Sequence, residues 1–137
     1  MAYIRDVKYY ETDKMGIVHH SNYVRWFEEA RMDFLTKIGY PYDKMEEMGI
    51  LSPVLAVSSK YKSVIKFGEH VEIDTKVISF NGIKLVLGYE IKLLGTNEVT
   101  TVGESEHCFV DEQFKPVNMK KFNKDFYETV VSYVDLK

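Results

Sequence analysis

The sequence predicts an α+β fold in which one long helix packs against a curved antiparallel sheet. Apolar residues recur every three or four positions over residues 22–38, and after Gly49 the pattern changes to alternating apolar and polar residues. Because the wide apolar stripe of such a helix has to be covered, and strands are the available cover, we expect two packed layers. The 137 residues are enough for one domain, expected over 1–137.

The composition excludes several classes of protein. A hydrophobic fraction of 45% with 28% charged residues is typical of a globular domain and not of a disordered chain. The net charge of −3 gives no indication of a nucleic-acid partner. A lone Cys108, no signal peptide and no apolar run long enough to span a bilayer predict a cytoplasmic protein without a membrane span.

The first third of the chain predicts a strand at residues 3–10 and then the long helix. Ser21 or Asn22 is expected to cap the helix and Gly39 to end it. Short helical turns are expected over 40–49. The apolar stripe of the helix comprises Tyr23, Val24, Trp26, Phe27, Ala30, Phe34, Leu35 and Ile38.

Four strands and a terminal helix complete the prediction. They are expected at 50–67 (bent near Pro53), 71–77, 83–94 and 99–111, with the helix at 122–134. Asn81–Gly82 is the strongest hairpin signal. Exposed sheet edges in so small a unit, with 14% aromatic residues, favour a homo-oligomer.

The approach to the long helix carries a dense motif. It comprises YYETD at 9–13 and GIVHHSNY at 16–23, and it resembles the signature of the hotdog-fold acyl-CoA thioesterases. The most similar groups are the 4-hydroxybenzoyl-CoA thioesterase family and its Tol-Pal-associated short-chain relatives. The resemblance implies a hotdog domain, hydrolysis of an acyl-CoA to free acid and CoA, and a homodimer or homotetramer. One departure is His19, where the short-chain relatives commonly have Tyr.

The resemblance also implies roles for two residues. Asp13 is expected to be the catalytic carboxylate, acting either as a nucleophile on the carbonyl or as a general base on water. His20 occupies the position whose backbone N–H polarises the thioester carbonyl, and its imidazole matches the histidine of the short-chain relatives. Since the amino end of a helix offers free N–H donors, and thiolate is a good leaving group, no metal or organic cofactor is required.

Four further residues are candidates for substrate binding. Gly16 permits a close approach of backbone to ligand, and Tyr23 is placed either to touch the acyl group or simply to fill the core. Lys60 and Lys62, with Lys66, lie on one face of a predicted strand. They are expected either to meet the phosphates of CoA or to form an ordinary solvated face.

Other polar residues carry weaker signals. A metal site at His19 and His20 needs further ligands, and His70 and His107 lack the spacing for it. Glu11 could be a second acid, but it is interpreted as an exposed loop carboxylate. Residues 103–107, GESEH, approach a nucleophile elbow but lack its second glycine and its helix.

Two other functions stay open at this point. The same site would serve for hydrolysis of acyl-carrier-protein thioesters, if a cationic surface received the acidic carrier. A non-catalytic acyl-binding protein on the same fold is the other alternative, although it would not need the carboxylate of Asp13.

Overall fold

Five antiparallel strands form one sheet that wraps the long helix. In the computed structural model, which describes residues 2–134, the strand order is β1-β3-β4-β5-β2. The strands are β1 (Ala2–Asp6), β2 (Val54–Tyr61), β3 (His70–Phe80), β4 (Lys84–Leu93) and β5 (Val99–Cys108). The helices are α1 (Ser21–Lys37), α2 (Tyr42–Glu47), α3 (Met119–Phe122) and α4 (Lys124–Val131). The predicted α+β class is confirmed.

The apolar stripe of α1 lies on the inner face of the sheet. Trp26 is fully buried, and the ring of Phe27 stacks on Tyr89 of β4 with centroids 4.5 Å apart. Gly103 of β5 allows this approach, because a Cβ there would lie 2.5 Å from Phe27. The fit of α1 into the sheet therefore depends on close packing as well as on apolar periodicity.

Two expectations about α1 were wrong in detail. Val24 is 38% exposed and does not belong to the core, whereas Arg31 is buried. Neither Ser21 nor Asn22 caps the helix, because His20 occupies the N-cap position and makes no side-chain capping bond. The helix does end before Gly39, which adopts a φ of +99°.

The first strand is shorter than expected. β1 ends at Asp6, and Tyr9–Glu11 form a 3₁₀ turn instead of continuing the strand. The cause is the Glu11 side chain, which reaches back to accept the Lys8 N–H at 2.8 Å. This bond closes the turn and redirects the chain towards α1.

The remaining elements follow the prediction with shorter bounds. The Asn81–Gly82 hairpin is confirmed, with Gly82 at a φ of +92°. The strand expected at 50–67 is regular only over β2, and the terminal helix is split at Asn123, whose side chain caps α4. Within residues 2–134, no helix is both long and apolar enough to cross a membrane.

Candidate active site

A tight hairpin places Asp13 in front of α1. Thr12 and Val18 pair as an antiparallel bridge, and the Asp13 N–H donates to Ile17 O at 2.9 Å. The Gly16 N–H closes the turn on Asp13 O at 3.0 Å, and Gly16 itself has a φ of +76°. A side chain at this position would meet nothing within 4 Å, so the turn needs glycine for its backbone conformation.

Glu11 anchors this hairpin and is not the exposed loop carboxylate that was expected. It is only 4% exposed, and it accepts hydrogen bonds from Arg5 Nη1 and from Trp26 Nε1 at 2.8 Å each. Burial alone would raise the pKa of Glu11, but the hydrogen bonds from Trp26, Lys8 and Arg5 outweigh it and hold that pKa below the ordinary value. Glu11 is therefore a buried structural anion.

Backbone hydrogen bonds join the hairpin to the first turn of α1. The His19 N–H donates to Glu11 O at 2.8 Å, and the side chain of Asn22 donates to the same oxygen at 2.9 Å. The His20 N–H, at the amino end of the helix, has no acceptor among residues 2–134. A free N–H at this end of a 17-residue helix is suited to bind a developing negative charge.

A cleft of about 360 Å³ opens beside the hairpin. Its polar lining consists of Asp13, His20, Lys62 and Ser63. Its less polar lining consists of Met15, Ile17, Val18, Tyr23, Tyr61 and Val64. The structure thus brings four of the six expected site residues together, whereas Gly16 and Lys60 do not line this cleft.

Asp13 has one carboxylate oxygen available for chemistry. Its Oδ1 accepts the Met15 N–H at 2.8 Å, and no donor from residues 2–134 reaches Oδ2. The residue is half-buried at the cleft. A carboxylate held by one oxygen, with the other free, can act on water or on a bound electrophile.

Two tyrosines form an aromatic wall in the cleft. The rings of Tyr23 and Tyr61 lie 4.8 Å apart between centroids. Burial raises the pKa of Tyr23 to about 12, despite an opposing hydrogen bond from Thr101. The phenol is therefore protonated near neutral pH, and it contributes packing and a hydrogen bond rather than basicity.

A Ser–His pair elsewhere in the molecule is closed to substrate. Ser105 Oγ lies 2.7 Å from His107 Nε2 and 2.7 Å from the Tyr89 hydroxyl, but Ser105 is 4% exposed and His107 is fully buried. Burial and the nearby Arg31 lower the pKa of His107 to about 4. GESEH is therefore a segment of β5 in which Ser105 and His107 are buried, and it is no nucleophile elbow, in agreement with the sequence interpretation.

Sequence reasoning did not assign six of the ten lining residues to the site, among them the hydroxyl-bearing residues Tyr61 and Ser63. Both belong to a stretch that was interpreted only through its lysines. They enter the cleft because β2 ends at Tyr61 and the chain then bends, with the Lys62 N–H donating to Thr100 O at 2.8 Å. No periodic pattern signals such a bend. Among residues 2–134, no cluster of three or more His, Cys, Asp or Glu is arranged to hold a metal ion.

A sheet wrapped on one helix, with a carboxylate at the amino end of that helix, defines the class of protein as a hotdog-fold thioesterase-like domain. The chain belongs to the Thioesterase-like superfamily, whose family model matches residues 7–128. The fold class and the resemblance inferred from the 9–23 motif are both confirmed.

Similar proteins include enzymes named for acyl-CoA substrates. YneP of Bacillus subtilis, provisionally named an acyl-CoA thioesterase, is 38% identical over 123 residues, which are 89% of this chain and 88% of YneP. YbgC of Escherichia coli, named an acyl-CoA thioester hydrolase, is 27% identical over 85 residues, 62% of this chain and 63% of YbgC. The crystal structure of a DHNA-CoA thioesterase from Staphylococcus aureus, 35% identical, superposes with a TM-score of 0.90 over 96% of this chain and 88% of that one.

Proposed function

We propose that the protein hydrolyses the thioester of a short-chain or aromatic acyl-CoA to the free acid and CoA, without a metal or organic cofactor. One observation supports the proposal: Asp13, whose Oδ2 is free, and His20, whose N–H is free at the amino end of α1, line the same cleft. We further propose that the whole chain, 1–137, forms this one catalytic domain. The names of YneP, YbgC and the Staphylococcus aureus enzyme support the choice of substrate class.

The helix end supplies the electrostatic part of the mechanism. As water adds to the thioester carbonyl, negative charge develops on the carbonyl oxygen. The N–H of His20 and the positive end of the α1 dipole stabilise that charge without having to reorganise. His20 lines the cleft and is exposed, and we assign its imidazole to orienting substrate or water.

Asp13 supplies the proton transfer. In the route we propose, Oδ2 takes a proton from water while the water oxygen bonds to the acyl carbon, and thiolate then leaves. The other route is direct attack by Asp13, which forms a mixed anhydride. Rapid acid quenching of a single turnover, followed by mass spectrometry of the protein, distinguishes the two. An acylated enzyme identifies the anhydride route, and unmodified enzyme with product present identifies the base route.

The aromatic wall and the lysines are assigned to substrate binding. Tyr23 and Tyr61, whose rings are tilted by 50° to each other, give the acyl group an aromatic surface. Lys62 lines the cleft and is exposed, so it can meet the anionic CoA moiety, while Lys60 lies further along β2. Gly16 shapes the turn beside this path.

We also propose that the protein assembles as a homodimer or homotetramer. β2 is an edge strand in the described sheet, with seven of its eight residues exposed. Its exposed side chains include Val54 at 47%, Leu55 at 55% and Val57 at 41%. An apolar edge strand of this length favours pairing with a second copy of itself.

A substrate screen tests the proposed function. Purified protein is assayed for thiol release from acyl-CoAs of increasing chain length, from aromatic acyl-CoAs and from an acyl-acyl-carrier protein. We expect turnover with one or more acyl-CoAs. Turnover of the acyl-acyl-carrier protein alone would show that the substrates are carrier-protein thioesters and not acyl-CoAs. Binding without turnover of any thioester would support the non-catalytic alternative.

A further inference from the structure

The side chain of Asn22 joins the loop before α1 to the peptide that carries the free N–H of His20. Asn22 is 8% exposed, and its Nδ2 donates to Glu11 O at 2.9 Å and to His19 O at 3.3 Å. Both acceptors are backbone carbonyl oxygens, so the NH₂ end of the side chain has to face them, because the amide oxygen only accepts. The side chain thus uses its two hydrogens on two carbonyls.

Further hydrogen bonds hold the backbone of His19 at both of its polar atoms. Its oxygen also accepts the backbone N–H of Asn22 at 3.0 Å, and its N–H donates to Glu11 O at 2.8 Å. A trans peptide unit is planar, so the C=O of His19 and the N–H of His20 lie in one plane and point in opposite directions. Contacts that fix the direction of the His19 C=O therefore also fix the direction of the His20 N–H.

We infer that Asn22 is the positioning residue for the backbone N–H of His20, the donor to the thioester oxygen. This inference rests on the proposed function, in which that N–H stabilises the charge developing on the carbonyl oxygen. A donor that is already aimed at this oxygen need not reorganise during the reaction. The hydrogen bond that Asn22 gives to His19 O also polarises the peptide and strengthens its N–H as a donor. Asn22 does not line the cleft, so it acts through the peptide.

Two substitutions at this position separate positioning from a purely structural role. Asn22→Ala removes both side-chain donors. Asn22→Ser also loses the bond to Glu11 O, but a serine hydroxyl in a helix can donate to the carbonyl three residues earlier, which here is His19 O. We expect kcat to fall about fivefold or more in Asn22→Ala, and kcat of Asn22→Ser to stay about threefold or more above that of Asn22→Ala. KM should stay within about twofold in both, because the charge on the oxygen develops only in the transition state.

A second asparagine controls for the loss of stability. Both Asn22 variants lose the bond to Glu11 O, so both should melt below the parent, and kcat is referred to folded protein. Asn123→Ala is the matched control, because Asn123 caps α4 by accepting the Phe126 N–H at 3.0 Å and does not line the cleft. It should lower the melting temperature and leave kcat unchanged.

Infrared spectroscopy of a bound carbonyl reports on the donor itself. The probe is a ketone analogue of an acyl-CoA in which a methylene replaces the sulfur, with ¹³C at the carbonyl, so that it binds but is not hydrolysed. A hydrogen bond to a carbonyl oxygen lowers its stretching frequency. The isotope-difference band of the bound analogue should therefore lie at a higher wavenumber in Asn22→Ala than in the parent. A loss of stability that left the His20 N–H in place would not move this band.

Three results overturn the inference. One is a smaller fall of kcat in Asn22→Ala than that expected, the second is a smaller difference between Asn22→Ala and Asn22→Ser, and the third is a carbonyl band that Asn22→Ala leaves unchanged. All three leave the proposed function standing, because the parent still turns over. Failure of the parent to hydrolyse any thioester would instead remove the proposed function itself.

Discussion

The indole Nε1–H of Trp26 donates to Oε2 of Glu11 at 2.8 Å, a hydrogen bond that joins the buried side of α1 to the loop carrying Asp13. Arg5 of β1 binds the same carboxylate through Nη1, at 2.9 and 2.8 Å from its two oxygens. One buried anion thus sets the position of strand, loop and helix relative to each other. The distance between Asp13 and the amino end of α1 depends on it.

Replacing Glu11 by Gln should destabilise the protein. The variant keeps the size of the side chain, but within residues 2–134 it leaves the Arg5 side chain, 9% exposed, with Glu29 at 3.1 Å as its one remaining anionic partner. Removing one member of a buried ion pair lowers the free energy of unfolding by about 3 kcal/mol. Urea denaturation measures this. Glu128→Gln, which breaks an exposed pair with Lys124, is the control and should change little. Equal effects in the two variants would show that Glu11 is no anchor.

The free energy of unfolding should fall as the pH is lowered, and His107 should account for much of this pH dependence. Its pKa is about 4 in the folded protein against an ordinary 6.5, so between these values the unfolded chain binds a proton that the folded chain does not. The free energy of unfolding should therefore decrease by about 2 kcal/mol from pH 7 to pH 5 on this account. The lowered pKa of Glu11 adds a further loss at more acidic pH.

Denaturation curves at pH 7 and pH 5 test the contribution of His107. His107→Gln removes the titrating ring, and the difference in stability between the two pH values should shrink by about 2 kcal/mol. His70→Gln, at an exposed histidine on β3, is the matched control and should keep the parental slope. If His107→Gln leaves the difference in stability between pH 7 and pH 5 unchanged, the assignment of that pH dependence to His107 is contradicted.

Lys62→Ala should raise KM for acyl-CoA about threefold to tenfold with little change in kcat. A contact to a CoA phosphate is equally strong in the ground state and the transition state, so its loss affects binding alone. Added salt should weaken binding more in the parent than in the variant. Lys76→Ala, at an exposed lysine of β3 outside the cleft, serves as the control. An unaltered KM in Lys62→Ala would show that Lys62 belongs to an ordinary solvated face and does not bind CoA.

Light scattering at micromolar concentration should give the mass of a dimer or a tetramer. Val57→Lys places a charge in the middle of the exposed β2 edge and should shift the protein towards the monomer, because edge strands with charged residues pair poorly. Lys76→Ala, on β3, should leave the mass unchanged. A parental monomer at every concentration would remove the proposal of pairing through β2.

Periodic features of the fold were predictable because they depend on residues that are close together in the sequence. The stripe from Tyr23 to Phe34 specifies α1, and the alternation in 71–77 together with Asn81–Gly82 specifies the hairpin. Each signal depends on neighbours within about seven residues along the chain. The motif at 9–23 likewise places Asp13 and His20 in one cleft.

Non-local features were not predictable. Glu11 finds its partners six residues earlier, at Arg5, and fifteen later, at Trp26, so no window of sequence marks it as buried. Ser63 enters the cleft only because β2 ends two residues before it. Pairings of this kind arise from the tertiary arrangement, which overrides the local expectation that an acidic residue in a loop is exposed.

The account depends most directly on the chemistry of Asp13, and Asp13→Asn tests it. Asparagine can still accept the Met15 N–H through Oδ1, so the turn and the melting temperature should be preserved. Asp111→Asn is a matched control, because Asp111 caps a turn through the Gln113 N–H at 2.9 Å but does not line the cleft.

The decisive measurement is kcat on an acyl-CoA that the parent hydrolyses, with the melting temperature of each preparation. For Asp13→Asn we predict a fall in kcat of about a hundredfold or more, with KM and the melting temperature little changed, because the amide can neither take a proton from water nor attack the carbonyl. Asp111→Asn should keep the parental kcat. A kcat for Asp13→Asn within a few fold of the parent, or a loss of turnover that only follows a loss of folded protein, would contradict the mechanism.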